Sequence, residues 1–180
     1  SLPLGMRKRL EIARALATQP ELLLLDESFA GLNPTELNES IQIIRKIREK
    51  GITIMIIEHH MKVIMSISDR IAVMKKGKII QIGTPQELYL KPNSLFVAHF
   101  IGESNFMEGT VTRTISGQIE IELRGGFKVQ AISNGLKQDE RAILAVRPEA
   151  MKMEMGNIEK ENALFGKVEK VTFEGTFMRY

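Results

Sequence analysis

Two adjacent carboxylates, Asp26 and Glu27, close a run of four leucines, Leu22 to Leu25, and the chain then turns through Ser28-Phe29-Ala30-Gly31-Leu32-Asn33-Pro34. A short apolar run bounded by turn signals reads as a strand. One that is apolar at every position reads as buried on both faces, as in a parallel sheet with helices on each side. Open α/β sheets bind their ligands beyond the carboxyl ends of such strands. Neighbouring side chains on a strand point to opposite faces. Asp26 and Glu27 therefore share one task only if the strand ends between them, and otherwise divide the labour. A second apolar run, Ile52 to Ile57, ends in Glu58-His59-His60. Upstream, Leu2-Pro3-Leu4-Gly5-Met6 opens a helical pattern whose start would present unpaired N–H groups and a positive dipole end to an anion. A cationic amphipathic helix with a proline start is the plainer reading of that stretch alone.

Regular elements must hold these residues in place. Leu10, Ala13, Leu16 and Ala17 recur at helical spacing, so a helix is expected from residue 3 or 4 to just before Gln19-Pro20. Asn33-Pro34-Thr35-Glu36 is a helix start with a capping residue, a proline in the first turn and an acid three residues on. Ile41, Ile44 and Ile47 carry that helix to Gly51. Met61 to Ile67 suits a short helix. Ile71–Met74 and Lys78–Ile82 read as a hairpin about Lys76-Gly77, and Thr84-Pro85-Gln86-Glu87 is a further capped start. Residues 93–102 suit a last short helix. From Phe106 the pattern changes to short alternating strands between glycine-containing turns, near 111–113, 119–123, 128–131, 142–146 and 167–171, as in a small β-barrel or sandwich. The boundary is placed near residue 104, giving an α/β part over 1–104 and an all-β part over 105–180.

Bulk properties narrow the function. The 180 residues suit one domain or one plus a small one, and 43% hydrophobic with 26% charged residues is ordinary for a globular protein. There is no cysteine, hence no disulfide and no thiolate metal site. No apolar run approaches the roughly 20 residues that span a bilayer. A net charge of +3, no Trp and two Tyr argue against nucleic acid as a partner. Ser1 is not a methionine, so the sequence is expected to be part of a longer chain.

Five motifs in register carry a resemblance over residues 2–104. The segment 2–6 with its helix, the apolar strand ending Asp26-Glu27, the loop Ala30-Gly31-Leu32-Asn33-Pro34, the following helix, and the strand ending at His59 resemble the second half of an ATP-binding-cassette (ABC) ATPase, itself a P-loop NTPase. Arg9-Leu10-Glu11-Ile12-Ala13-Arg14-Ala15-Leu16 and Ser66-Ile67-Ser68-Asp69-Arg70-Ile71 are similar to branched-chain amino-acid importer ATPases. Leu95-Phe96-Val97-Ala98-His99-Phe100-Ile101-Gly102-Glu103 and Val146-Arg147-Pro148-Glu149 are similar to polyamine, ferric-iron and sugar importer ATPases, which carry an OB-like, TOBE-type β-domain. The cargo stays open between them.

The resemblance implies ATP and Mg2+ as cofactors. Asp26 would hold the magnesium, Glu27 would polarise the attacking water, and His59 would contact the γ-phosphate. Leu2, Pro3, Leu4, Gly5 and Met6 would close over nucleotide held by the opposite subunit of a homodimer or paired ABC ATPase, with Gly31 and Asn33 at the dimer contact. The further partners implied are integral membrane permease subunits and, indirectly, a periplasmic or lipid-anchored solute-binding protein, at the cytoplasmic face of the inner membrane. His60 and His99 read as surface histidines, the methionines as gap fillers, and Lys75, Lys76 and Lys78 as hairpin decoration.

Several positions depart from the family pattern. Pro3 stands where the family has a serine, Leu4 where it has a glycine, Met6 where it has a glutamine, Ser28 where proline is common, and Asn33 where aspartate is commoner. No G-x-x-x-x-G-K-[ST] loop and no Gln loop occur in these 180 residues, so this piece alone is expected to be inactive as an ATPase. Two rivals to an importer ATPase follow: a catalytically silent regulatory cassette piece, and a non-transport ABC ATPase acting on DNA or ribosomes.

Overall fold

The computed structural model describes residues 2–115, 117–132, 135–156, 160–173, 175 and 178–179. Two compact units meet in the chain after Gly102.

The first unit is α/β. Helix α1 (Leu4–Leu16) follows Pro3, whose extended ψ of 154° places it just outside the helix. Strand β1 (Leu22–Asp26) leads to α2 (Pro34–Glu49), and β2 (Thr53–Ile57) then pairs with β1 in parallel, from Leu22↔Thr53 to Asp26↔Ile57. Parallel neighbours need a crossover, and α2 is that crossover. Its start is fixed by a complete capping box: the Asn33 side chain accepts the Glu36 N–H at 2.9 Å, and the Glu36 carboxylate accepts the Asn33 N–H at 3.1 Å. Helix α3 (Met61–Ile67) is followed by β3 (Ile71–Lys75) and β4 (Lys78–Gly83), an antiparallel hairpin. Lys76 and Gly77 both have positive φ, 49° and 73°, as a tight two-residue hairpin loop requires. Helices α4 (Pro85–Leu90) and α5 (Leu95–Ile101) close the unit, capped by Thr84 and Ser94.

One core of this unit joins Ile12 of α1, Leu23 and Leu25 of β1, Phe29, Ile41, Ile44 and Ile47 of α2, and Val63 and Ile67 of α3. Each such side chain contributes about 1.5–3 kcal/mol by leaving water. A smaller core joins α3, the hairpin, α4 and α5 through Ile64, Val73, Leu88, Val97 and Ile101. The expectation that the leucine strand is buried on both faces is corrected here. Leu23 and Leu25 point inward, while Leu22 and Leu24, with Met55 and Ile57 on β2, are exposed. The helices pack on one face of the two-stranded sheet, and nothing among the described residues covers the other.

The second unit is a four-stranded antiparallel sheet in the order β7-β6-β5-β8, made of β5 (Asn105–Ile115), β6 (Gln118–Leu123), β7 (Lys128–Ile132) and β8 (Arg141–Val146). Val111, Ile119, Ile121, Leu123 and Val129 form its buried face. Within the described residues this sheet is open, with β7 and β8 as edges, rather than the expected barrel or sandwich. The Arg147 guanidinium donates to the Glu103 carbonyl at 3.0 Å and to Ser104 Oγ at 2.8 Å. Burial pushes its pKa below the ordinary arginine value. A single 3-10 turn, Pro148–Ala150, follows. The strand expected over 167–171 does not form: Val168 and Val171 are both exposed, so the alternation there serves no buried face. Pairing starts later, between β9 (Thr172–Phe173) and β10 (Met178–Arg179).

Candidate active site

The parallel register places the ends of β1 and β2 side by side, with Asp26 opposite Ile57. The strand stops between the two carboxylates. Asp26 is its last residue, on the exposed face with Leu22 and Leu24. Glu27 turns away in a left-handed conformation with φ of 44°, unusual for a residue with a side chain. Its N–H still donates to the Ile57 carbonyl at 3.0 Å. Two residues beyond Ile57, His59 brings Nδ1 to 3.9 Å from Glu27 Oε1. Both side chains face solvent, 63% exposed for Glu27 and 66% for His59. The His60 ring stacks on His59 at 5.5 Å between centroids.

The loop after Glu27 is anchored at several points. The Glu27 carbonyl accepts the Ala30 N–H at 3.2 Å and Lys8 Nζ at 3.2 Å. Phe29 is only 1% exposed and fixes the loop to the core, while its N–H donates to Glu58 Oε1 at 2.9 Å. Gly31 has φ of 76°, where a side chain would be strained. Asn33 ends the loop as the cap of α2, its side-chain oxygen committed to Glu36.

A second group gathers at the start of α1. Gly5 is buried, and a Cβ there would lie 2.6 Å from Glu36 Oε1. A Cβ on Gly31 would lie 2.9 Å from Leu4 Cδ2. Leu4, Gly5, Gly31 and Asn33 are thus neighbours, as are Glu27 and His59 in the first group. Leu2, Pro3 and Met6 are exposed at the helix start. The first turn of α1 itself contains no acidic residue and Pro3 makes no side-chain cap, while the Glu36 carboxylate of α2 lies beside Gly5. No cluster of three or more His, Cys, Asp or Glu suited to a metal occurs among the described residues.

Comparison with known proteins decides the family. A family model described as ABC transporter matches residues 1–30. The spermidine/putrescine import ATP-binding protein PotA of Mesorhizobium japonicum is 38% identical over 174 residues, covering 96% of this chain and 47% of its own length. PotA of Desulfitobacterium hafniense is 35% identical over 177 residues, 97% of this chain and 48% of its own. A crystal structure of a nucleotide-free ATP-binding cassette from an ABC transporter is 32% identical, with a TM-score of 0.50 over 57% of this chain and 42% of that one.

The chain belongs to the ABC transporter ATP-binding family. It spans about half the length of the curated relatives it matches.

Two residues that contact these loops escape sequence reasoning. Lys8 reaches Glu27 from a helix 19 residues away, and a flexible side chain leaves no mark in a pattern. Glu58 does leave one. Positions 54 and 56 of β2 and position 58 just past its end are less exposed than their neighbours, so the third is an acidic residue where the alternation calls for an apolar one.

Proposed function

We propose that this chain supplies the magnesium-and-water side of the ATP site in an ATP-hydrolysing subunit of an ABC importer. The observation that carries the reading is Glu27, held in a left-handed turn at the end of β1 with its carboxylate 3.9 Å from His59 Nδ1. Asp26, on the exposed face of the same strand end, is the residue that would hold Mg2+. A magnesium ion held there would help to neutralise the charge on the transferred phosphoryl group. Glu27 orients a water and takes its proton, a contribution of about 10²–10⁴-fold for one well-placed base. His59 holds its ring beside Glu27, with the other ring nitrogen available to a phosphate oxygen.

Leu2 to Met6 form the surface that meets nucleotide on a homodimeric or paired subunit, using the N–H groups of the α1 start, with Gly31 and Asn33 beside them at the dimer contact. Closing and opening of that dimer would move attached permease subunits, fed by a solute-binding protein, at the cytoplasmic face of the inner membrane. The residues after about 104 are proposed as the TOBE-type β-domain of such a subunit. These 180 residues alone are proposed not to turn over ATP. The import names of the relatives favour this reading over a non-transport or silent cassette, and support a polyamine as the cargo.

Glu27→Gln in the intact protein tests it. The variant is expected to keep ATP binding and dimer closure while slowing hydrolysis at least about tenfold. Unchanged turnover removes Glu27 from its role.

A further inference from the structure

The Glu58 side chain has no solvent exposure. A buried carboxylate is costly unless it is hydrogen-bonded, and each of its oxygens has one defined task. Oε1 accepts the Phe29 N–H at 2.9 Å, from the loop that begins with Glu27. Oε2 accepts the His59 N–H at 3.2 Å, from the loop that carries the histidine. His59 Nδ1 lies 3.9 Å from the same Oε2. One planar group of fixed width therefore joins the two loops whose side chains face each other at 3.9 Å.

An apolar residue would fill this inward position with less desolvation, but it could tie neither N–H. The other restraints act on one loop at a time or on the strand ends: Phe29 seats its loop in the core, and the Glu27 N–H follows the Ile57 carbonyl. The Glu58 carboxylate alone, among the hydrogen bonds described, reaches both loops beyond the strands.

We propose that Glu58 is a positioning residue for ATP hydrolysis: its carboxylate sets the separation of Glu27 and His59. The proposal rests on the importer-ATPase reading above. It follows that loss of Glu58 strikes the chemical step rather than nucleotide capture. A displacement of about 1 Å in a reacting group can cost 10²-fold. Glutamine keeps the shape but offers only one acceptor oxygen, so one of the two N–H groups is left facing an NH2.

The test uses Glu58→Gln and Glu58→Ala in the intact protein, with Glu27→Gln as reference. Turnover at saturating ATP, KM for ATP and amide hydrogen exchange at Phe29 and His59 are measured. The expected result is a kcat about tenfold lower for Glu58→Gln and about 10²-fold lower for Glu58→Ala, at unchanged KM. One of the two amides should lose protection in the first variant and both in the second. Retained protection of both amides in either variant overturns the strut. A kcat within about twofold of the parent despite lost protection overturns its catalytic consequence, as does a KM that rises in step with the fall in kcat. If Glu58→Ala does not fold, Glu58→Gln decides by the same measures. Unchanged turnover in Glu27→Gln sinks the ATPase reading instead, and the amide exchange still judges the strut.

Discussion

The left-handed turn at Glu27 makes stability and activity pull apart at one residue. A φ of 44° costs a residue with a Cβ about 1–2 kcal/mol, and glycine escapes that cost. The Glu27 side chain itself contributes little: it is 63% exposed and its facing partner, His59 Nδ1, is 3.9 Å away, so the pair is worth about 0–1 kcal/mol. The backbone bonds to Ile57, Ala30 and Lys8 survive any substitution here. Glu27→Ala and Glu27→Gly thus lose the same carboxylate and keep the same hydrogen bonds, but only glycine loses the strain. Against this, glycine loosens the unfolded chain by about 0.4–1 kcal/mol. The balance leaves Glu27→Gly about 0.5–1 kcal/mol more stable than Glu27→Ala. With a urea m value of about 2 kcal/mol/M, the unfolding midpoint of the intact protein is about 0.3–0.5 M higher for glycine. Both variants lose turnover by about 10²–10⁴-fold. An alanine variant as stable as the glycine one refutes the reasoning, because it would mean that the turn stores no strain and the carboxylate is not aimed by it.

Two further outcomes follow from the caps. Asn33→Ala removes the side-chain oxygen that accepts the Glu36 N–H; it should cost about 0.5–2 kcal/mol in a thermal unfolding scan, with Asn33→Ser restoring most of the loss. At α4 the Thr84 backbone N–H and its hydroxyl hold the Glu87 carboxyl below its ordinary value. A carboxyl lowered in the folded state stabilises above its unfolded value and stops doing so as pH falls through the folded one. Exchange protection of the Thr84 amide should therefore fade on acidification, and Thr84→Ala should move the onset to higher pH.

How much of this was legible depended on whether a local rule had a local cause. Asn33-Pro34 with Glu36, and Thr84-Pro85 with Glu87, announced helix starts because cap, proline and acid act within one turn. Lys76-Gly77 announced a hairpin for the same reason. Asp26, Glu27 and His59 were legible as strand ends, since a parallel pair with a helical crossover brings such ends together. The run Leu22 to Leu25 was less informative: four leucines fit burial on one face or two, and the sequence does not say how many layers pack on them. Lys167 to Val171 alternates as a strand should, yet alternation forms no strand where no apolar face receives it. Glu58 lay outside the motif reading because it does no chemistry that a motif records; its mark is the conflict between an inward position and a charge.

One departure at the start of α1, Leu4, becomes intelligible from the same contacts. Leu4 stands where the family pattern has glycine, and its side chain needs room. Gly31 provides that room, since a Cβ there would meet Leu4 Cδ2 at 2.9 Å. Gly5 provides the reverse: its missing side chain leaves space for the Glu36 carboxylate that caps Asn33. The start of α1 and the loop after Glu27 are therefore packed together within one chain. One turn further along α1, Lys8 reaches the Glu27 carbonyl. The start of α1 thus touches the loop through the glycine contacts and its next turn touches Glu27 through this lysine. The surface proposed to meet a partner's nucleotide and the loop that begins with the carboxylate proposed to act on this chain's own are therefore in contact within one chain.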